Sequence, residues 1–411
     1  MGEWRSYTLA ELAAQDKHAL ATGPFGSAIA SRNFQDSGVP VIRGANLSLN
    51  VAERLRDDDL VFISEAKAEE FQRSVASRGD LVFTCWGTIG QIGLIDERAR
   101  YGRYVVSNKQ MKLTPNLNLV DPLFAYYALS APQMVSQVQG ASIGSSVPGF
   151  NLTQLRSISV MVPPLGEQHE IAEVLGALDD KIALNERIRH TALSLAGACY
   201  ESVGTGNEPE VLGDLAELFD GPHATPHKTP TGPWFLSISS LKSGYLDLAE
   251  SAHLSEEDFP RWTRRVQPQG GDVLFSYETR LGDAALMPPG VRGSLGRRMA
   301  LLRSKSAAVS GPLLLHAYLA PAFQEEIKRR TIHGATVDRL PLKEMPGWRI
   351  SLPAEGERER LSEKLEALHT TVMQTADENR TLADLRDTLL PQLVTGKLRV
   401  KDATRVVEEA V

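Results

Sequence analysis

Apolar or small residues recur at Ile171, Leu175, Leu178, Ile182, Ala192, Leu195 and Cys199, a spacing of threes and fours that draws one stripe along a helix. The stretch from residue 163 to residue 200 therefore predicts one long helix with a narrow apolar face and an otherwise charged surface. A degenerate copy lies 190 positions later, where Leu361, Leu365, Leu368, Val372, Leu382, Leu385 and Leu389 occupy the same places. Neither helix is stable with its stripe in water, so the two stripes are expected to bury each other as an intramolecular coiled coil. Asn185 interrupts the first stripe and Thr375 stands in its place in the second, a polar pair that either fixes the register or turns outward to meet a partner.

Ahead of each helix the periodicity is that of strands and turns. VPVIRGANL reads as a strand leaving into a turn, RGDLVFTCWGTIGQIGLI as two strands joined by a Gly-rich connection, and DPLFAYYALSAP as a short helix. LRSISVMVPP is a strand that two prolines terminate before the long helix begins. The same order then returns. Gly79-Asp80 corresponds to Gly271-Asp272, Gln110-Met111-Lys112-Leu113 to Arg298-Met299-Ala300-Leu301, GPFGS to GPHAT, and the strand ending at Pro163 to the one ending at Pro353. The reading is α/β: two similar mixed α/β domains at 1–162 and 205–353, helical spacers at 163–204 and 354–400, and a tail at 401–411. Because the frame repeats while most side chains between its landmarks differ, the domains should share a fold and present different surfaces.

Composition changes this picture little, since 411 residues with 42% hydrophobic and 23% charged are ordinary for a globular protein of two or three domains. No apolar run is long enough for a membrane span and no leader-like segment opens the chain, so a cytoplasmic protein with no membrane partner is expected. Cys85 and Cys199 are too few for a disulfide framework or a four-ligand zinc site, and each is expected to fill apolar space.

The net charge of −7 speaks against nucleic acid until its distribution is considered. Residues 165–200 hold six acids and three bases, and residues 354–411 hold twelve and nine. Residues 23–115 hold twelve bases against eleven acids, and residues 211–353 seventeen against fifteen. The domains are thus slightly basic and the helices acidic, a balance that permits a phosphate-binding face on each domain.

The runs PPLGEQHEIAEVLGALDDKIALNERI and LRDTLLPQLVTGKLRV resemble the two conserved regions of type I restriction-modification specificity subunits, and the duplicated domain order matches that family along essentially the whole chain. The resemblance implies two target recognition domains, each reading one half of a split double-stranded DNA site. It also implies two long antiparallel helices that hold the domains apart and seat two modification subunits. The chain would then be the non-catalytic, DNA-reading part of a complex that methylates adenine and, with a restriction (translocase) subunit, cuts unmodified DNA. S-adenosylmethionine, Mg and ATP are expected only on those partners, and no cofactor on this chain. The second helical region departs from the first, with LPAEGERERL where the first has PPLGEQHEIA, so its partner-docking surface need not be equivalent.

Catalytic motifs are weak by comparison. Asp121-Pro122-Leu123-Phe124 faintly resembles the Asp-Pro-Pro-aromatic loop of adenine methyltransferases, but Leu123 replaces the second proline and a helix start explains it better. Gly87, Gly90 and Gly93 form GxxGxxG, yet IGLI follows, so a hairpin is expected in place of a phosphate-binding helix N-terminus. His223 and His227 flank Pro226 with no third ligand in sight, so no metal site is expected. GxxxxGK[ST] appears nowhere in the chain.

Candidates for reading DNA follow from chemistry and position. In the first domain they are Arg43 and Asn46 after a strand, Trp86, Thr88 and Gln91 around the Gly-rich turn, and Asn108 with Lys109 at the head of another strand. Ser142, Ser145 and Ser146, in a loop of small residues, suit phosphate oxygens. The analogous places of the second domain offer His223, Lys228, Lys242, Tyr277, Arg280, Arg297, Arg298, Thr336 and Arg339. Each has the bland alternative of a solvated surface residue or, for Trp86 and Tyr277, of a core aromatic. Two other functional classes are compatible with the pattern. One is a self-contained two-domain DNA-binding regulator, and the other is a coiled-coil scaffold that binds no DNA.

Overall fold

The computed structural model describes residues 3–26, 28–140, 149–206 and 208–410. The chain divides into two compact units, residues 1–183 with 381–411 and residues 184–380. Each unit contains one mixed α/β domain and a portion of both long helices.

In the first unit, strand Arg5–Thr8 pairs antiparallel with Ser159–Val162. An antiparallel sheet runs Leu20–Thr22, Gln110–Leu113, Leu81–Thr84, Ile92–Leu94. A second sheet runs Val61–Ile63, Val39–Ile42, Arg103–Val106, Val75–Ser77, its central pair parallel. Leu81–Thr84 and Gln110–Leu113 are buried along their whole length; the first reads as an apolar run without a period of two, while the second alternates and buries Gln110 and Lys112 as well. Two helices follow, Pro122–Ser130 and Pro132–Gly140. Asp121 caps the first by accepting from Phe124 N at 2.8 Å, and Pro122 takes the first helical position, where a missing N–H costs nothing. The Asp-Pro of this segment is therefore a helix start.

The second unit repeats the plan. Glu210–Val211 pairs with Arg349–Ile350, and an antiparallel sheet runs Ala216–Asp220, Met299–Ser304, Val273–Ser276, Ala284–Leu286. Ala252–His253, Thr229–Phe235 and Gly293–Ser294 form the second sheet, again with one parallel pair. Ser310 caps helix Gly311–Leu319, and Pro321–Arg330 follows. The turn landmarks coincide in detail. Gly79 and Gly271 adopt φ of 89° and 90°, and the following Asp80 and Asp272 each accept from the backbone N–H three residues back, Ser77 and Gln269. Pairing then corrects one alignment. Leu81 faces Leu113 whereas Val273 faces Leu302, so Gln110 is equivalent to Met299, one residue later than the sequence comparison places it, and Lys109 is equivalent to Arg298.

The long helices are Leu165–Val203 and Glu355–Leu393, 39 residues each. In the first unit Ile171, Leu175, Leu178 and Ile182 share a core with Leu382, Leu389, Leu390 and Leu393, and also with Phe124, Tyr127 and the sheet of the domain. In the second, Leu361 and Leu365 share a core with Ala196 and Tyr200; Leu368 is half-buried against it and Val372 is buried. Asp179 meets Arg386 within the first unit and Asn185 meets Glu378 within the second, so the helices pair antiparallel in both. The stripe thus faces the domain as well as the other helix. Its far end differs from the pattern: Leu195 is 50% exposed, and Ala196 and Tyr200 fill the core in its stead, as expected when a 3.6-residue helix drifts from a 3.5-residue repeat. Asn185 is buried, but it donates to Glu378 (2.7 Å), while the Thr375 hydroxyl turns back to its own helix at Thr371 O and Val372 O. The last residues form a helix, Val400–Ala410, whose Ala403 is buried in the first unit's core, with Trp4 and Leu398 packed alongside.

Equivalent positions hold each domain to its helices with different chemistry. Counting from the caps Asp121 and Ser310, Tyr127 corresponds to His316; counting along the helices, Asp179 corresponds to His369. In the first unit the Tyr127 hydroxyl donates to fully buried Asp179 at 2.5 Å, Arg386 donates to the other carboxylate oxygen at 3.0 Å, and Arg54 bridges Tyr127 and Asp96. Burial, and then the Asp179 carboxylate, push the Tyr127 phenol far above its ordinary pKa and keep it a donor. In the second unit the Nε2 atoms of His316 and His369 lie 3.0 Å apart, with Tyr200 stacked on His316.

Two outcomes follow from these contacts. Arg386→Met leaves the buried Asp179 charge short of a partner and should lower unfolding stability by about 3 kcal/mol; urea titration of the full chain measures it. Burial depresses His316 to about 3 and His369 to about 4, with the His369 neighbour adding to the shift at His316. Both folded values lie below the unfolded ~6.5, so the unfolded chain binds more protons in acid, and the contribution is complete above pH ~6.5 and is lost as pH falls through about 4 to about 3. A chain with Gln at both positions should be less stable near neutrality and should lose that acid-side slope in a Tm-against-pH series.

Candidate nucleic-acid interface

Three loops and a returning segment gather at one end of the antiparallel sheet in each domain. In the first they are Gly23–Gly26, the hairpin 85–91, Ser107–Lys109 and the chain reaching Gly149-Phe150. Gly23 N donates to Gln110 O at 3.0 Å, and a Cβ there would stand 1.9 Å from Ser107 O, so only glycine allows the approach. Cys85 N donates to Lys109 O and Phe150 N to Cys85 O. The Trp86 ring lies on Gly149, where a Cβ would come within 2.7 Å of it. The second domain builds the same set. Gly221 N donates to Met299 O, Tyr277 N to Arg298 O, and Leu340 N to Tyr277 O. The shared backbone frame leaves the side chains to differ: Phe25 against His223, Trp86 against Glu278, Lys109 against Arg298.

Among the candidates of the first domain, Trp86 is 50% exposed at the hairpin, and Thr88, Asn108 and Lys109 are exposed beside it. Asn108 Nδ2 donates to Gly26 O and ties two of the loops together. Asn46 is turned inward, a correction to its reading as a base contact. Its Oδ1 accepts from Arg43 N and its Nδ2 donates to Arg56 O and Asp58 O, so loop closure consumes the amide. Gln91 likewise donates to Leu47 O and accepts from Thr84, and half-buried Arg43 donates to Asp59 O. Ser142, Ser145 and Ser146 lie outside the described residues.

In the second domain His223 and Arg298 meet beside the hairpin, the backbone of Arg339 pairs with it, and Thr336 is exposed on the loop before Arg339. Arg339 pairs through its backbone with both Glu278 and Ile332. His223 Nε2 lies 3.1 Å from Asp220, and its Nδ1 lies 3.3 Å from Arg298 Nη1 and 3.4 Å from the Tyr277 hydroxyl. Tyr277 is a buried core aromatic, its phenol pushed up to about 12 by burial and then by Asp220. Arg280 is spent on Asp283 and on the carbonyls of Ile238 and Leu241. Lys228 and Arg297 line a cavity of about 280 Å³ with Thr225, Ser237 and Ser251. Lys242 sits on a separate two-stranded hairpin, facing Glu250 at 3.7 Å.

Two features escape the sequence reading. Phe25, on the loop between Gly23 and Gly26, is 75% exposed. Arg261, Arg264 and Arg265 border a groove of about 500 Å³ with Trp262 and His223; the run RWTRR, three bases around an indole, was the signal available. Among the described residues no three His, Cys, Asp or Glu side chains converge as metal ligands, and no helix is long and apolar enough to cross a membrane.

The family model for the type I restriction modification DNA specificity domain matches residues 3–192. The MjaVIII type I restriction enzyme specificity subunit of Methanocaldococcus jannaschii is 20% identical over 72% of this chain and 75% of its own, and the HindI specificity subunit of Haemophilus influenzae is 30% identical over 36% and 35%. A solved S subunit of the type I restriction-modification system of M. genitalium superposes with a TM-score of 0.58 at 14% identity, covering 95% of this chain and 96% of the other. Residues 3–192 match the type I restriction modification DNA specificity domain, and the chain along its length resembles the specificity subunits of that system. DNA sequence recognition is the task of this family, and the fold is that of two similar α/β recognition domains with two antiparallel helices packed on each other.

Proposed function

We propose that this chain reads a bipartite double-stranded DNA site, one half with each domain, and presents the DNA to two modification subunits and to restriction (translocase) subunits docked on it. Catalysis then belongs to the partners, with S-adenosylmethionine, Mg and ATP bound there. The observation that carries the reading is the repetition of one loop frame, hydrogen bond for hydrogen bond, with different side chains on it: Phe25, Trp86 and Lys109 in one domain against His223, Glu278 and Arg298 in the other. Such a frame keeps the loops in place while the exposed positions are free to carry different contacts. Two domains that read different half-sites would carry different side chains on one shared frame.

Exchanging residues 1–160 for the matching domain of another specificity subunit should change one half of the methylated motif and preserve the other. Methylome sequencing of a host carrying the chimera and its modification partner decides the matter, and a motif changed in both halves or in neither overturns the proposal. The purified chain incubated with DNA and labelled S-adenosylmethionine should transfer no methyl group until modification subunits are added. Incorporation by rigorously pure chain would refute the division of labour.

A further inference from the structure

The hairpin turn of the second domain and the residue facing it across the sheet end are both held in the left-handed region: Thr279 at φ 74° and Arg298 at φ 66°. Thr279 stands where the first domain has Gly87 at φ 104°, so a β-branched residue occupies a conformation that the equivalent turn assigns to glycine. Strain of this kind persists where the position of a side chain matters more than local stability. What these two residues position is an ion pair. Glu278 precedes Thr279, and its Oε2 lies 3.1 Å from Arg298 Nε, with the side chains 20% and 32% exposed. His223 Nδ1 lies 3.3 Å from the same guanidinium, at Nη1. The pair is half-buried and supplies at most a modest part of the stability.

The two groups are chemically complementary to one base pair. An arginine fork donates to guanine O6 and N7, and a carboxylate accepts from the N4 amino group of the paired cytosine, both at the major-groove edge. Resting on the reading of this chain as a DNA-recognition subunit, we propose that Glu278 and Arg298 together read a single G·C base pair in the half-site bound by the second domain. They part from each other to do so, Arg298 taking the guanine and Glu278 the cytosine. The equivalent positions of the first domain are Trp86 and Lys109, which cannot make this pair of contacts, so the requirement falls on one half-site alone.

The test uses the complete complex with its modification subunits. Arg298→Lys keeps the charge and loses the fork; Glu278→Gln keeps the shape and loses the carboxylate. Each should relax one G·C position of one half-site, lowering discrimination there by about tenfold to a hundredfold, while the remaining positions, the other half-site and the Tm stay unchanged. Competition binding with half-sites substituted at each position in turn, alongside methylome mapping, reads the effect. An unchanged motif in both variants, a relaxed position in the half-site of the first domain, or a uniform loss across all positions would overturn the pairing. The wild-type complex serves as the control for the underlying reading: if it methylates no bipartite motif, that reading fails and this inference with it, whereas an intact wild-type motif with unaltered variants sinks this inference alone.

Discussion

A carboxylate with no exposure to water, Asp179, is the constraint on which the first unit is arranged. Buried charge of this kind is tolerable only when its lone pairs are filled, and here they are filled by Tyr127 from the domain and Arg386 from the second long helix, with Arg54 3.8 Å away. One group therefore fixes three elements at once: the domain helix, the first long helix and the second. Apolar contacts along the stripe supply most of the stabilisation by area. They do not choose a register, because leucine meets leucine equally well one turn away. The carboxylate does choose, since a slip of one turn would strand it.

The second unit meets the same geometric need without charge. His316 and His369 occupy the equivalent positions and face each other at 3.0 Å, one Nε2 donating and the other accepting when both rings are neutral. The loop closures nearby follow the same logic of substitution. Gln168 donates to Pro163 O in the first unit and Arg358 to Pro353 O in the second, so a different side chain satisfies the same carbonyl at the same step of the fold. Duplicated folds diverge most freely where a polar demand can be met by more than one chemistry.

The division between what the sequence discloses and what it withholds follows the range of the forces involved. The long helices, the Asp121-Pro122 helix start and the Gly79-Asp80 and Gly271-Asp272 turns are local consequences of periodicity, capping and left-handed glycine, and they are legible. Leu195 is misread because a stripe drawn at fixed spacing ignores helical drift and the second surface, the domain core, that the helix also covers. Asn46 and Arg280 are misread for another reason. Their donors are claimed by carbonyls 10 to 12 and 39 to 42 residues away, and nothing in the local run announces those partners. The one-residue slip between Gln110 and Met299 has the same origin, since only strand pairing decides it.

The candidate interface separates frame from message by the same means. Backbone hydrogen bonds hold the loops, Cys85 to Lys109 in one domain and Tyr277 to Arg298 in the other, and these bonds are indifferent to the side chains they carry. A recognition residue on such a frame can be replaced without disturbing its neighbours, provided the replacement tolerates the local φ. Glycine at 87 tolerates it freely; threonine at 279 does so under strain, and arginine at 298 likewise. The second domain has therefore departed furthest from the relaxed frame at the residues beside its Glu278–Arg298 pair. A non-glycine residue held at positive φ costs backbone energy that a glycine there would not. Asp59 and Ser243 carry the same cost elsewhere, but Thr279 and Arg298 are the two that stand together at one sheet end, where they set the placement of the pair.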